Sequence, residues 1–247
     1  MKKLRIGFLN ITGCVGCMLS VLFNEQELVE LSKAVEITAF PFIRKKAAAT
    51  YDIVLLEGLV ANREDLDFLR DIRKRTVMLV ALGSCAATGC IPAIRNFIDR
   101  RSYVHLMYDK IEKISDLDPK PVTDYVDVDY VIPGCPPDKK EIMAFLKDVS
   151  AGKRPSPCTD PVCVECRLNG NFCLIERGKL CLGPVTAGGC NAVCINGGFE
   201  CWGCRGSHED ANQKAFMELM ESKGYDRKTV VERMRTFNGL KLRGEEK

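Results

Sequence analysis

Nine of the chain's 14 cysteines stand between Cys158 and Cys204, in a stretch rich in glycine and almost without hydrophobic periodicity. Such a stretch cannot bury enough apolar surface to order itself, so something other than an ordinary core must hold it. The whole chain has only 2 histidines, so a metal would be bound almost wholly by thiolate. No export signal is legible, and in a reducing compartment disulfides are disfavoured and metal is favoured. Soft sulfur ligands suit zinc or iron–sulfur clusters.

The sequence before residue 152 has a different texture. Apolar runs at 4–11, 35–40, 52–56, 77–82 and 130–132 read as strands. Helical patterns at 18–31, 64–74, 92–99 and 137–149 separate them, the last with a proline near its first turn. Alternation of this kind predicts an α/β domain: a flavodoxin-like parallel sheet with helices on both faces. Hydrophobic content of 46% with only 7% aromatics suits its aliphatic core. Residues 102–129 are charged and contain proline, and read as a long surface loop and a contact for a partner. The expected organisation is a flavodoxin-like domain over 1–152, bounded by "GKRPSP", a cysteine-rich domain over 153–207, and a polar helical tail over 208–247.

Charge excludes some functions. The net charge of +3 comes from 36 basic and 33 acidic residues. The basic clusters Arg44–Lys46, Arg70–Arg75 and Arg100–Arg101 are short and read as solvated faces, not a nucleic-acid footprint. The apolar run after Lys2 and Lys3 is interrupted by Arg5, Gly7 and Asn10, so it reads as a first strand and not a signal peptide. No run is long enough to span a bilayer. The expectation is a soluble, cytoplasmic chain.

The remaining cysteines follow strands. Cys14 and Cys17 come after the first, Cys85 after the 77–82 strand and Cys135 after the last. In a doubly wound sheet the carboxyl ends of the strands are where ligands bind, so these four, distant in sequence, share one edge and suggest a single four-thiolate site. Gly13, Gly16, Gly83 and Gly134 beside them let backbone approach a cluster. A flavin site with incidental cysteines explains "NITG" less well, since cysteines on three loops do not help to bind a flavin. In the second region, eight of nine cysteines divide into Cys163, Cys166, Cys173 and Cys181, and Cys190, Cys194, Cys201 and Cys204. Taken alone, this region also fits two zinc ribbons.

The motifs together resemble a known family. "CxxC" after strand one, "GSCAATG" after a central strand, "PGCPP" after the last strand, and "GPVT" and "CWGC" further on are similar to the small, electron-transferring subunit of nickel–iron hydrogenases. The resemblance spans about residues 4–206 and is nearest to the cytosolic branch of sulfhydrogenases and methanogen hydrogenases. It implies three 4Fe–4S clusters: proximal on Cys14, Cys17, Cys85 and Cys135; medial on Cys190, Cys194, Cys201 and Cys204; distal on Cys163, Cys166, Cys173 and Cys181. It also implies a large subunit carrying the nickel–iron centre and a further electron-carrier subunit (flavin, ferredoxin-like or linked to a heterodisulfide reductase). No catalytic centre is expected in this chain. "TDPVCVEC" approaches a large-subunit nickel motif, but Val162 displaces its first cysteine and no companion motif exists.

Several positions depart from the family's pattern. Periplasmic relatives have histidine where Cys163 stands and often proline where Cys194 stands, so this chain is expected to hold all-cysteine cubanes. Added thiolate charge disfavours reduction and pushes potentials down. Cys90 replaces a usual glycine and reads as a buried thiol or an auxiliary ligand. Cys158 competes with Cys163 for the distal set. Met18 replaces a common acid, leaving Glu57 ("LLEG") as a proton-transfer group near the cluster or simply a satisfied carboxylate. The other reading of the whole is a related subunit of a respiratory complex I, but those relatives have adjacent cysteines in place of the spaced Cys14/Cys17 and lack the second cluster domain.

Overall fold

The computed structural model describes residues 3–43, 48–99, 102 and 116–241. Seven strands fall in its first part: β1 (Leu4–Asn10), β2 (Val35–Ala39), β3 (Tyr51–Glu57), β4 (Val60–Asn62), β5 (Thr76–Leu82), β6 (Asp116–Lys120) and β7 (Tyr130–Ile132). Five form a parallel sheet in the order β2-β1-β3-β5-β7. Succession runs outward from β1 to β2, then in the opposite direction through β3, β5 and β7, so the order reverses between β1 and β3. This is the flavodoxin-like order, with its crevice at the strands' carboxyl ends. The expected α/β class and five-stranded parallel sheet are found.

Both faces of the sheet are covered, which explains why β3 reads as one continuous apolar run. On one face Phe8, Leu55 and Val80 pack against Val21 of α1 (Gly16–Leu22), Leu28 and Leu31 of α2 (Glu25–Ala34), and Ile142 and Leu146 further along the chain. On the other, Val54, Leu56 and Leu79 pack against Leu66, Leu69 and Ile72 of α3 (Arg63–Lys74). Asn62 caps α3 by accepting from the Asp65 N–H at 2.8 Å, and acids lead while bases close the helix.

Two local expectations change. The helix expected over 18–31 is two helices, broken at Asn24. The buried Asn24 amide donates to Ser20 O at 3.0 Å and to Lys139 O at 3.2 Å, so the break gives an end carbonyl of α1 a partner and ties it to the start of a later helix. The segment expected as one long loop over 102–129 is partly ordered structure. Residues 103–115 lie outside the described residues, but β6 pairs antiparallel with β4, and Val122 is fully buried. Of the basic clusters, Arg44–Lys46 and Arg100–Arg101 lie outside the described residues; in the third, Arg73 pairs with Asp129 at 2.6 Å and Arg75 with Asp71.

Beyond β5 come α4 (Ser84–Thr88), a 3-10 turn over Ile91–Phe97 in place of a short α-helix, and α5 (Lys139–Ser150), capped by Asp138. The cysteine-rich region contributes only α6 (Val162–Leu168) and α7 (Val193–Asn196). Its apolar deficit is met from downstream. Phe216, Met217 and Met220 of α8 (Gln213–Ser222), and Val230 and Met234 of α9 (Arg227–Asn238), share one core with Val162, Leu174, Leu180 and Ile195. These helices are therefore part of that region. The end of α9 and the 3-10 turn after it, Gly239–Lys241, also reach the first domain: Thr88 donates to Phe237 O at 2.7 Å and Lys241 pairs with Asp124. Among the described residues no helix is long and apolar enough to cross a membrane.

Candidate metal centres

The first site forms where the sheet's carboxyl edge opens. Cys14 and Cys17 sit on the β1–α1 turn, Cys85 on α4 directly after β5, and Cys135 between β7 and α5. The first turn is tied from two sides. Thr12 donates through its hydroxyl to Asp65 at 2.7 Å, and Glu57, the last residue of β3, accepts from the backbone N–H groups of Cys17 (3.3 Å) and Met18 (3.0 Å). Glu57 is 2% exposed. Burial raises its carboxyl pKa, and those N–H groups oppose the rise. It anchors the turn that carries Cys14 and Cys17 and lies beside the Cys17 thiol.

The thiols converge. Burial raises the Cys17 pKa strongly, and the nearby charges of Glu57, Cys85, Cys135 and Cys14 raise it further. Gly83 makes the convergence sterically possible. Its φ is +87°, and a Cβ there would lie 2.3 Å from Cys17 Sγ. A cavity of about 370 Å³ opens between Cys14, Cys85, Cys135, Thr12 and Cys90.

Cys90 plays a larger part than sequence reasoning gave it. It is 1% exposed with φ +52°, a conformation rare for a side-chain-bearing residue. Its buried thiol sits beside Cys85 and Cys135. That neighbour lowers the Cys85 pKa and brings Cys135 down to about 7. The spacing of five residues from Cys85 carried no recognisable signal; only the 3-10 turn that folds Cys90 back reveals the contact.

The second site lies between the two halves of the molecule. A cavity of about 520 Å³ is lined by Cys190, Cys194, Cys201 and Cys204, and by Cys135 of the first site. Burial pushes the Cys190 thiol up to about 11, helped by the Glu165 carboxylate. Burial likewise raises Cys201 and Cys204, the latter against the opposing backbone N–H of Cys135. The third group gathers around α6: burial pushes Cys163 up to about 12, with Cys181, Cys166 and Cys173 adding their charges. Cys158 is not among the groups that act on it; its exposed thiol lies near Asp160 O, at 3.9 Å, and beside Gly188.

Neighbouring groups touch. The backbone N–H of Cys201 donates to Cys181 Sγ at 3.3 Å. Glu165, on the helix bearing Cys163 and Cys166, accepts from Gly189 N–H at 2.8 Å and Ala192 N–H at 3.3 Å, on either side of Cys190. All 14 cysteines are free thiols. Among the described residues no three Cys, His, Asp or Glu side chains converge tightly enough for a single metal ion; thiols of the first two groups instead line cavities. An all-thiolate donor set around a cavity of this size fits a multi-iron cluster better than a lone zinc ion.

An α/β sheet with four thiols along its carboxyl edge, extended by a cysteine-rich region, defines a class: an iron–sulfur electron-transfer protein. A family model described as "NADH ubiquinone oxidoreductase, 20 Kd subunit" matches residues 14–149, the sheet domain. Sulfhydrogenase 2 subunit delta of Pyrococcus furiosus is 39% identical over 236 residues, 95% of this chain and 99% of its own. A subunit in the structure of an NAD⁺-reducing NiFe hydrogenase in the H₂-reduced state is 31% identical, with TM-score 0.57 over 63% of this chain and 95% of that one. A chain of the reduced, active Ni-Fe-Se hydrogenase from Desulfomicrobium baculatum, at 18% identity, shares the fold with TM-score 0.60 over 87% of this chain and 98% of that one. The chain belongs to the nickel–iron hydrogenase small subunit family, the electron-transfer subunits of hydrogenase complexes.

Proposed function

We propose that this chain carries three 4Fe–4S clusters: proximal on Cys14, Cys17, Cys85 and Cys135, medial on Cys190, Cys194, Cys201 and Cys204, and distal on Cys163, Cys166, Cys173 and Cys181. When bound, such clusters exchange one electron at a time, which divides the electron pair of dihydrogen into single transfers. The chain's own residues supply placement, burial and hydrogen bonds to sulfur. The observation that carries the reading is contact between sets: Cys201 N–H reaches Cys181 Sγ, and Cys135 lines the cavity of the second set. Three isolated structural sites have no need to abut.

In this reading the chain works in the cytoplasm. It lies between a partner large subunit holding the nickel–iron centre and a further electron-carrier subunit that uses a flavin, a ferredoxin-like cluster or a link to a heterodisulfide reductase. The sheet domain over 1–152 holds the proximal cluster and the 153–207 region the other two, with the helices Gln213–Ser222 and Arg227–Asn238 bracing that region. Glu57 sits beside the proximal cluster; its two accepted N–H bonds favour an anchoring role over proton transfer.

The test is elemental analysis of the native complex, purified without oxygen through a tag on this chain. Iron and sulfide of about 12 per chain, with nickel of about 1, are expected. Iron without nickel would assign the relay to a non-hydrogenase oxidoreductase, and zinc without sulfide would refute it.

A further inference from the structure

Arg205 follows the last cysteine of the second set and is almost wholly enclosed, its side chain 3% exposed. Its donors leave in three directions. Nη1 and Nη2 form a fork on Glu141 of α5, at 2.7 and 2.8 Å. Nη1 also donates to Pro133 O at 2.9 Å, two residues before Cys135. Nε donates to Gly188 O at 2.5 Å and Ala187 O at 3.2 Å, just before Cys190. One guanidinium thus holds together the approaches to Cys135, Cys190 and Cys204, which belong to two different thiol sets. Gly189 leaves room for it: a Cβ there would lie 2.4 Å from Nη2.

A buried ion pair is a poor device for stability, because desolvation offsets most of the attraction. It is well suited to fixing geometry and to placing charge. The cation lies next to Cys204 and near Cys190, and the two sulfurs act on it electrostatically. Glu141 faces the far side of the fork. Lysine would keep the charge without the fork or the third direction.

We propose that Arg205 is a positioning residue of the relay: it clasps the sheet domain to the cysteine-rich region and raises the potential of the medial cluster. This rests on the medial assignment made above. Reduction adds negative charge to a cluster, so a neighbouring cation favours the reduced form and a neighbouring carboxylate disfavours it. The pair Arg205 and Glu141 therefore makes a prediction of opposite signs.

The experiment is an EPR-monitored redox titration of the complex, purified without oxygen, in unaltered, Arg205→Gln, Arg205→Lys and Glu141→Gln forms, with iron and sulfide measured for each. The medial midpoint is expected to fall in Arg205→Gln, whether or not the orphaned Glu141 takes up a proton. It is expected to rise in Glu141→Gln, and to move less in Arg205→Lys than in Arg205→Gln. Shifts of the same sign in Arg205→Gln and Glu141→Gln, or no shift, would overturn the inference, because loosening of the interface alone has no reason to reverse sign. If Arg205→Gln loses the cluster, Glu141→Gln decides: a rise supports the inference and anything else refutes it. Absence of a medial 4Fe–4S signal from the unaltered complex would instead refute the assignment beneath it.

Discussion

Gly83→Ala tests whether the first four thiols form one site. Gly83 adopts φ +87° and ψ +165°, a region open essentially to glycine alone, so any side chain there costs about 1–3 kcal/mol of backbone strain. The alanine Cβ would also lie 2.3 Å from Cys17 Sγ, far inside contact distance. Cys17 is 6% exposed and packed in the sheet's core, so it cannot yield freely. Movement of Sγ takes one corner away from the other three thiols. The expected result is loss of one cluster, from ~12 to ~8 iron per chain, with the proximal EPR signal absent. Gly152→Ala is the control: its φ of +71° brings a strain of about 1 kcal/mol, but nothing lies within 4 Å. It should melt slightly earlier and keep all its iron. Full iron and an unchanged proximal signal in Gly83→Ala would refute the convergence of Cys17 with Cys85 and Cys135.

Other consequences can be checked singly. In the cluster-free chain, the neighbouring Cys90 thiol brings the Cys135 pKa to about 7 from an ordinary 9.0. Cys90→Ala should therefore reduce the thiolate share of Cys135 at pH 7 on the order of 50-fold; the stronger nucleophile this leaves regains about 8-fold, for a net slowing of roughly sixfold toward a disulfide reagent, read by mass spectrometry. Cys163→Ser should remove about four irons and Cys158→Ser none; the reverse would redraw the distal set. Glu57→Gln replaces one acceptor by a donor facing an N–H and should cost about 1–3 kcal/mol in urea melts. The folded pKa of Glu57 is raised, so its contribution is fully present below the unfolded carboxyl range and shrinks as pH rises through the folded value. The penalty should then be larger at low pH than at neutral pH.

Much of this was legible because the sheet imposes order on sequence. Once β1, β5 and β7 are recognised as parallel, Cys14, Cys17, Cys85 and Cys135 must fall on one edge, however far apart they stand. The division proposed for the second region's cysteines rests on their local pairing in the sequence. What escaped was set by contacts between distant side chains. Asn24 splits a helix that periodicity runs through, because its amide is held by Lys139 O of another element. Glu165 reads as one charge on a short helix, yet it accepts from two N–H groups around Cys190. Arg205 reads as the residue after a CxxC pair, and its partners lie 64 and 72 residues away.

The two halves solve the problem of ordering a ligand set in different ways. In the first, a pre-existing core fixes the strand ends, and Glu57 and Asp65 then pin the turn that carries two of the thiols. Ligand geometry there is a consequence of the fold. In the second, α6 and α7 are too short to fix anything alone. Order is imported, from the apolar faces of α8 and α9 and from the Arg205 clasp onto α5. Metal binding to such a region is coupled to its folding. Removal of metal should therefore loosen the second half first, with protection from hydrogen exchange lost around Cys190–Cys204 while β1, β3 and β5 stay protected. Simultaneous loss in both halves would mean that the sheet depends on its cluster too, and that the division drawn from the two cores is wrong.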